Sequence, residues 1–503
     1  MTREKTLSKH CARLPVGSSR SLAAQSDRRE QGAVVVKEAA LRVALVSPSP
    51  YRVAMSSLGY QAIYGILNAL PGIAADRAML PDEVTAFHRR SAKLVTLERH
   101  SLVGSYKVVA FSIAYELEVL GLLECLDLAR IPLLAAERNE SHPLVVAGGP
   151  LTFSNPAPIG PFCDVILLGE AEESVVELVT ILAERSTDNR RELLEKLAFR
   201  PGFYVPAIHH DHVPAIRRAD DCLLPARSVI VTPLAELSDM FLVEVVRGCS
   251  RGCAYCVMRR STNGGMRVIA EERILDCIPP WARRVGLVGA AVTDHPRIAS
   301  IVARLVESGR GVGISSLRPD RLTDELVDLL ACGGYRTMTV ALDGASERLR
   351  CQIDRNTREE DLIRAARLAT AHRLGTLKVY VMVGLAGEAD ADIEELGRFA
   401  LELARLHPRV ALGISPFVPK RNTPLDGSEF AGVPIIRHRL ALLRRLLAGR
   451  VEIRSTSVRQ AWIEHSLARG TCEAGLAALE AWRNGGSFAA WKRAFCASTA
   501  PQR

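Results

Sequence analysis

Short apolar runs alternate with amphipathic segments over the first third of the chain. Runs rich in β-branched residues predict buried strands, and a period near 3.6 predicts helices. The alternation of the two predicts a doubly wound parallel sheet with helices on both faces, spanning residues 41–189. The predicted strands are 41–47, 107–112, 143–147 and 164–168, and the predicted helices are 58–70, 118–129 and 175–184.

A second series of strand and helix patterns begins near residue 240. It contains six βα units, too few for an eight-fold barrel, and predicts a partial (β/α)6 barrel over residues 240–430 with its chemistry at the carboxyl ends of the strands. Around these two units we predict a disordered tail (1–40), a linker with short strands (190–239) and a helical C-terminal extension (431–503). The predicted barrel strands are 241–246, 285–288, 311–315, 337–342, 377–383 and 410–415.

Composition adds limits to this α/β picture. Hydrophobic residues make up 48% of the 503 residues and charged residues 24%, which is ordinary for a soluble globular protein. No apolar run reaches the roughly 20 residues of a membrane helix, so no membrane association is expected. The net charge of +9 permits an anionic partner without requiring one. The 12 cysteines do not form a secreted disulfide pattern, and we expect a cytoplasmic protein.

Three of these cysteines are close together. Cys249, Cys253 and Cys256 have the spacing Cys-x3-Cys-x2-Cys and directly follow a predicted strand. Thiolates of this kind favour zinc, copper(I) or an iron–sulfur cluster. Zinc normally takes four ligands, and no fourth Cys or His lies nearby in the sequence.

The spacing of the three cysteines, with Tyr255 before the third, resembles the signature of radical S-adenosylmethionine (SAM) enzymes. The resemblance implies a 4Fe-4S cluster held by Cys249, Cys253 and Cys256, with one open iron chelated by SAM. It further implies reductive cleavage of SAM and hydrogen abstraction from a substrate by the resulting radical. The positions that match the family's SAM-binding strand ends are Tyr255, Gly289, Ala290, Ser316, Arg318, Asp343 and Gly384.

The predicted N-terminal sheet resembles the Rossmann-like cobalamin-binding domain that precedes many radical SAM barrels. Cobalamin is therefore a further candidate cofactor, and methyl transfer a candidate reaction. The usual cobalt-ligating His is missing, because the loop of residues 48–59 contains none. The candidate cobalamin contacts at the strand ends are Ser112, Gly148, Gly149 and Gly169.

The resemblance implies a small-molecule or peptide substrate and an electron donor such as flavodoxin or ferredoxin, and nucleic acid is not expected as a partner. Two alternatives stay open. A tRNA methylthiotransferase would need three further N-terminal cysteines and a basic C-terminal β-barrel, whereas this N-terminal domain offers Cys125 and Cys163 and this C-terminus reads as helical. A non-catalytic iron–sulfur redox protein would bind the cluster without cleaving SAM.

Overall fold

The computed structural model describes residues 29–184, 189–259 and 264–498. After a two-residue strand β1 (Gln31–Gly32), a six-stranded sheet forms in the order β3-β2-β4-β5-β6-β7, parallel except for its last strand. Its strands are β2 (Leu41–Ser47), β3 (Ile73–Met79), β4 (Val108–Ser112), β5 (Leu144–Gly148), β6 (Val165–Leu167) and β7 (Phe203–Tyr204). The helices of this part are α1 (Tyr51–Ala54), α2 (Leu58–Ala69), α3 (Val84–Arg89), α4 (Val119–Leu128), α5 (Glu172–Glu184), α6 (Arg190–Ala198) and α7 (Pro206–His209).

Strand β3 is absent from the sequence-based prediction because charged residues interrupt its apolar pattern. Arg77 lies in the middle of the strand with its side chain 2% exposed. Its guanidinium pairs with Glu98 at 2.6 Å and with Glu30 at 2.8 Å. A buried charge that is paired and hydrogen-bonded is tolerated in a core, so the strand carries an ion pair where a hydrophobic residue was expected.

Of the predicted tail (1–40) and the predicted linker with short strands (190–239), the structure describes residues 29–40 and 190–239. Residues 1–28 of the predicted tail lie outside the described residues. From Glu30 onward the chain is held, because Glu30 pairs with Arg77 and β1 pairs with β8 (Ile230–Val231). The segment expected as a linker supplies β7, whose two aromatic residues are buried at the edge of the N-terminal sheet.

The predicted partial (β/α)6 barrel is confirmed. Two parallel sheets, β13-β12-β9 and β14-β15-β16-β17, meet where Leu317 bridges to Val340. The strands of this part are β9 (Phe241–Glu244), β10 (Val246–Arg247), β11 (Arg267–Val268), β12 (Arg284–Val288), β13 (Gly311–Ile314), β14 (Thr337–Asp343), β15 (Thr376–Val383), β16 (Val410–Pro416) and β17 (Glu452–Ser455). The helices are α8 (Glu271–Asp276), α9 (Ile298–Glu307), α10 (Asp324–Cys332), α11 (Glu347–Gln352), α12 (Glu359–Ala371), α13 (Asp390–Leu406) and α14 (Val433–Leu447).

Three C-terminal helices pack against the N-terminal part. They are α15 (Val458–Ala468), α16 (Cys472–Arg483) and α17 (Phe488–Ser498). Leu467, Ala478 and Trp491 share one buried core with apolar residues of α4 and β5. The contact is close, since a Cβ on Gly475 would lie 2.0 Å from the carbonyl oxygen of Pro158. The last three helices of the predicted extension (431–503) therefore complete the N-terminal core, whereas its first part, α14 and β17, packs on the barrel.

A partly buried ion-pair cluster joins the three parts of the molecule. Lys420, in the segment after β16, donates to Glu116 after β4 and to Glu464 on α15, at 2.6 Å in each case. Burial would lower the pKa of Lys420, but the two carboxylates hold it above its ordinary value. Within the described ranges, no helix is long and apolar enough to cross a membrane.

Candidate functional site

The cysteine loop leaves the barrel at the carboxyl end of β10. Gly248 starts it with φ +77°, and a Cβ there would lie 2.0 Å from the carbonyl oxygen of Gly265. The loop is tied to its surroundings at Ala254, whose N–H donates to the carbonyl of Ile353 at 3.0 Å and whose carbonyl accepts from the N–H of Leu425 at 3.3 Å. Its three cysteines are therefore presented by a segment that the barrel holds on both sides.

All three thiols are free, and they influence one another. Cys253 is buried, whereas Cys249 and Cys256 are half-buried. Burial, together with the neighbouring Cys253 and Cys249 sulfurs, raises the pKa of the Cys256 thiol to about 11. The three cysteines lie on one short loop, and an iron cluster bound there would stabilise their thiolates.

The three sulfurs do not converge as ligands of a single ion do. In the parts of the chain that the structure describes, no group of three His, Cys, Asp or Glu side chains is arranged to hold one metal ion. A cluster of several irons is larger than one ion, so its ligands stand further apart. The free thiols on one tethered loop therefore fit an iron–sulfur cluster.

A polar group connects the cysteine loop to the end of β14. The Tyr255 hydroxyl donates to Oδ2 of Asp343 at 2.7 Å, and Nε of Arg355 lies 2.8 Å from the same oxygen. Nη1 of Arg355 is 4.0 Å from the Cys253 sulfur, and Nη2 donates to the Ala341 carbonyl at 3.1 Å. One guanidinium thus touches both a cysteine of the motif and the carboxylate expected to bind SAM.

The electrostatics of this group follow from its burial. Burial would lower the pKa of Arg355, but the Asp343 carboxylate beside it raises that pKa above the ordinary value. Burial and Asp343 also raise the pKa of Tyr255 well above its usual range. Asp343 itself sits at φ +67°, next to an irregularity in the pairing of β14 with β15, which turns the backbone at the strand end.

A second polar group involves Ser250 and Arg251, the two residues that follow Cys249. The Ser250 hydroxyl donates to Asp294 at 2.9 Å, and Nη1 of Arg318 lies 3.3 Å from the same carboxylate oxygen. Arg318 also binds Asp320 at 2.9 Å, and Arg251 pairs with Asp320 at 3.0 Å. Burial would raise the pKa of Asp320, but Arg318 and Arg251 lower it. The guanidinium of Arg318 thus pairs with two carboxylates, Asp294 and Asp320. A contact of Arg318 with SAM stays a prediction.

The remaining predicted SAM-binding positions lie at strand ends of the barrel. Ala290 follows β12 and Ser316 follows β13, and both are exposed. A Cβ on Gly289 would lie 2.7 Å from the Val246 carbonyl, so glycine is required there by the chain itself. Gly384 follows β15 with φ +100°, and its N–H donates to both carboxylate oxygens of Glu388, at 3.0 and 2.9 Å.

Glu388 closes its own turn. Its side chain accepts from the Gly384 N–H and pairs with Arg439 at 2.9 Å, so it does not cap the following helix α13. Asp392 takes the capping place instead, accepting from the Ala389 N–H at 2.7 Å. The next helix is thus capped from its own first turn.

The candidate cobalamin positions gather at the carboxyl edge of the N-terminal sheet, where Ser112 and Gly148 are register partners on β4 and β5. Gly149 has φ +112°, and a Cβ there would lie 2.6 Å from the Ile113 carbonyl oxygen. Gly169 has φ +81°, and a Cβ on it would lie 2.4 Å from the Arg217 carbonyl oxygen. Close approach of the chain's own backbone explains these two glycines, and contact with cobalamin stays a prediction.

Sequence reasoning missed Arg355, Asp294 and Arg251. Arg355 lies in the irregular segment after α11, where no motif marks it, and it reaches the site only because that segment folds back beside the Cys253 loop. Asp294 follows the turn of residues 289–291, and a carboxylate shortly after a strand end was the available signal.

Two family models match this chain. One describes the N-terminal region of radical SAM proteins and matches residues 59–206. The other describes the radical SAM superfamily and matches residues 243–400, which include the cysteine loop and strands β12 to β15. The chain therefore carries radical SAM domains over these residues, and it is an enzyme.

Two curated proteins are similar in sequence. The uncharacterized protein MJ0966 of Methanocaldococcus jannaschii is 27% identical over 366 residues, which cover 70% of this chain and 75% of that protein. The ribosomal protein uS12 methylthiotransferase RimO of Desulforudis audaxviator is 28% identical over 186 residues, covering 32% of this chain and 40% of that protein.

Two solved structures share the fold. The radical SAM methyltransferase TsrM from Kitasatospora setae, with cobalamin and a 4Fe-4S cluster bound, aligns with a TM-score of 0.53 and 15% identity over 91% of this chain and 99% of its own. The cobalamin-dependent SAM radical enzyme OxsB, with aqua-cobalamin and SAM bound, aligns with a TM-score of 0.51 and 14% identity over 83% of this chain and 58% of its own. These likenesses confirm the predicted order of an N-terminal sheet and a radical SAM barrel.

Proposed function

We propose that this enzyme binds a 4Fe-4S cluster through Cys249, Cys253 and Cys256, and SAM beside it. The observation that carries the proposal is the Cys253–Arg355–Asp343 contact, which sets a cluster ligand next to a carboxylate at a barrel strand end. The bound cluster supplies one electron that splits the carbon–sulfur bond of SAM into methionine and a 5′-deoxyadenosyl radical, which takes a hydrogen atom from the substrate.

Each part of the site has a task in this proposal. The cysteine loop holds the cluster and leaves one iron open to SAM. Asp343 offers carboxylate oxygens to hydroxyl or amine donors of SAM, and Tyr255 and Arg355 fix its orientation. The strand ends at Gly289, Ala290, Ser316 and Gly384 bring backbone close to the cofactor. The substrate is a small molecule or a peptide.

The electron comes from a donor such as flavodoxin or ferredoxin. Because a cluster with one open iron is oxygen-labile, the proposal places the enzyme in a reducing compartment such as the cytoplasm.

Anaerobic reconstitution tests this proposal. We expect the wild-type chain to bind four irons and to form 5′-deoxyadenosine from SAM when dithionite is added. Cys253→Ala should lose both properties, whereas Cys277→Ala, which changes a half-buried cysteine outside the motif, should keep them. Full iron content and SAM cleavage in Cys253→Ala would show the assignment to be wrong. Iron binding by the wild type without SAM cleavage would favour the non-catalytic redox protein.

A second candidate function is methyl transfer with cobalamin. It is favoured by the six-stranded N-terminal sheet, whose carboxyl edge carries Ser112, Gly148, Gly149 and Gly169, and by the fold shared with TsrM and OxsB. No His of the loop after β2 is available to ligate cobalt, because residues 48–59 contain none. The test is a visible spectrum of the chain mixed with hydroxocobalamin and passed through a desalting column. A corrinoid band that co-elutes in a one-to-one ratio supports the candidate, and a colourless protein peak removes it.

Methylthiotransfer is supported less well. The match to a methylthiotransferase covers 32% of this chain. Cys125 and Cys163, the candidate N-terminal ligands, are both buried in the apolar core. Burial raises the pKa of the Cys163 thiol to about 12 and that of Cys125 further. Both residues therefore behave as small core side chains, and a second cluster has no supporting ligands among them.

A further inference from the structure

Lys378 and Tyr380 form a polar pair on the inner face of the barrel. Side chains alternate along β15, and Val379 and Val381 are buried in the core between the strands and their helices. Lys378 and Tyr380 point the opposite way, toward the barrel interior. Tyr380 keeps 39% of its surface exposed there, although β15 has a hydrogen-bonded strand on both sides.

The two side chains are held together as a unit. Nζ of Lys378 donates to the Tyr380 hydroxyl at 2.9 Å and lies 4.6 Å from the centre of the Tyr380 ring. The neighbouring positions on β14 and β16 are small, since Ala341 and Gly413 are the register partners of Tyr380. A Cβ on Gly413 would lie 2.7 Å from the Tyr380 ring, so glycine is needed there for the ring to pack against β16. The pair therefore stands above a floor of small residues.

Among the residues that the structure describes, Lys378 forms no ion pair, and its hydrogen-bond partner is the Tyr380 hydroxyl. The largest contribution to lowering the pKa of Glu452 on β17 comes from Arg454, which pairs with Glu452 at 2.7 Å. Lys378 also contributes to lowering that pKa. Arg454 is the register partner of Gly413, so a second cation flanks the ring. Two cations and a phenol donor thus face one carboxylate, which leaves a net positive patch on the inner wall.

The pair is also continuous with the proposed cofactor site. Ala341, the register partner of Tyr380, is the residue whose carbonyl accepts from Arg355, and Arg355 touches Cys253 and Asp343. A molecule that contacts Tyr380 therefore lies one strand away from the group that joins the cluster loop to β14.

We propose that Lys378 and Tyr380 bind an anionic group of the substrate, a carboxylate or a phosphate, inside the barrel. Lys378 supplies the charge and the Tyr380 hydroxyl a hydrogen bond, while Gly413 makes room for the Tyr380 ring against β16. The inference rests on the proposed function, since it assigns this anion to the molecule from which hydrogen is taken.

Protection of Lys378 from reductive methylation tests the site. The full-length chain with its reconstituted cluster is treated with formaldehyde and borohydride, and methylation of each lysine is quantified by mass spectrometry. Acetate and inorganic phosphate are the probes, with chloride at matched ionic strength as the reference. Competition should slow methylation of Lys378 by about threefold when the probe is at about twice its Kd. The exposed Lys93 is the internal control and should not respond.

The outcomes separate the possibilities. Protection by acetate alone assigns a carboxylate substrate, and protection by phosphate assigns a phosphorylated one. Tyr380→Phe should weaken the protection, because it removes the hydroxyl and keeps the ring over Gly413. Equal methylation of Lys378 in acetate, phosphate and chloride overturns the inference. Loss of SAM cleavage by the wild type would defeat the proposed function while leaving the anion site standing, so the two failures are distinguishable.

Discussion

Replacing Arg355 by methionine removes the positive charge that contacts the cluster loop. Nη1 of Arg355 lies 4.0 Å from the Cys253 sulfur, and the side chain is only 11% exposed. Reduction of a bound cluster adds one negative charge, which a nearby cation stabilises. Arg355→Met should therefore shift the midpoint potential of the cluster to a more negative value.

The size of the shift follows from Coulomb's law. The added electron is spread over the cluster, so its mean distance from the guanidinium exceeds the distance to Cys253. At roughly 8 Å and an effective dielectric constant of about 20, the interaction is about 2 kcal/mol. A free energy of about 1.4 kcal/mol is a tenfold change in an equilibrium constant, or about 59 mV for a one-electron couple. An interaction of about 2 kcal/mol therefore corresponds to about 90 mV. Asp343, 2.8 Å from the guanidinium, offsets part of it, so we expect a shift on the order of 50 mV.

The measurement is an anaerobic redox titration followed by electron paramagnetic resonance. Arg355→Lys keeps a charge at this position and should stay close to the wild type. Asp343→Asn removes the opposing carboxylate and should shift the potential in the positive direction. Arg348→Met, a change of a half-exposed arginine paired with Asp392, is the control for arginine loss elsewhere. A midpoint potential of Arg355→Met equal to that of the wild type would refute the reasoning.

Three further predictions concern stability, measured by urea unfolding of the full chain. Gly149→Ala should lower the free energy of unfolding by about 2 kcal/mol, because a Cβ at φ +112° would lie 2.6 Å from the Ile113 carbonyl oxygen. The matched control is Gly59→Ala, at a helical position with open space around it, which should not destabilise the protein. Burial, with two nearby cations, lowers the pKa of His465 from 6.5 to about 4. As the pH drops from 6.5 toward 4, His465 is protonated in the unfolded chain before it is protonated in the folded one, so the free energy of unfolding should fall over this range. His465→Gln should flatten the dependence of stability on pH in this range, and an unchanged dependence would contradict the assignment. Trp491→Ala should cost about 3–5 kcal/mol, since the ring is fully buried, and a loss under 1 kcal/mol (roughly the scale of surface substitutions) would contradict its place in the core.

The regular parts of this fold were readable from the sequence because their signals are local. Strand β2 has the predicted bounds, since its run of β-branched and other apolar residues marks its own ends. The cysteine loop was equally plain, because its spacing lies within eight residues. In the barrel, the carboxyl ends of parallel strands share one edge, and for that reason Asp343 could be placed near the cysteines without any contact being known.

What escaped depends on contacts between distant segments. Strand β3 looks polar until Glu30 and Glu98 are seen to neutralise Arg77. Arg355 has no motif, and its position beside Cys253 is decided by how the chain returns after α11. Such partners are separated by tens to hundreds of residues, and no periodicity relates them.

The packing of the C-terminal helices sets the order in which the molecule can be completed during translation. Helix α4 is made early, yet Trp491, which shares its core, is synthesised 363 positions after Leu128. At about 5–20 residues per second, roughly 20–70 s separate the two. Throughout that interval an apolar face of the nascent N-terminal half stays exposed to solvent. A ribosome that stalls while it translates the barrel therefore presents this apolar face to chaperones and proteases.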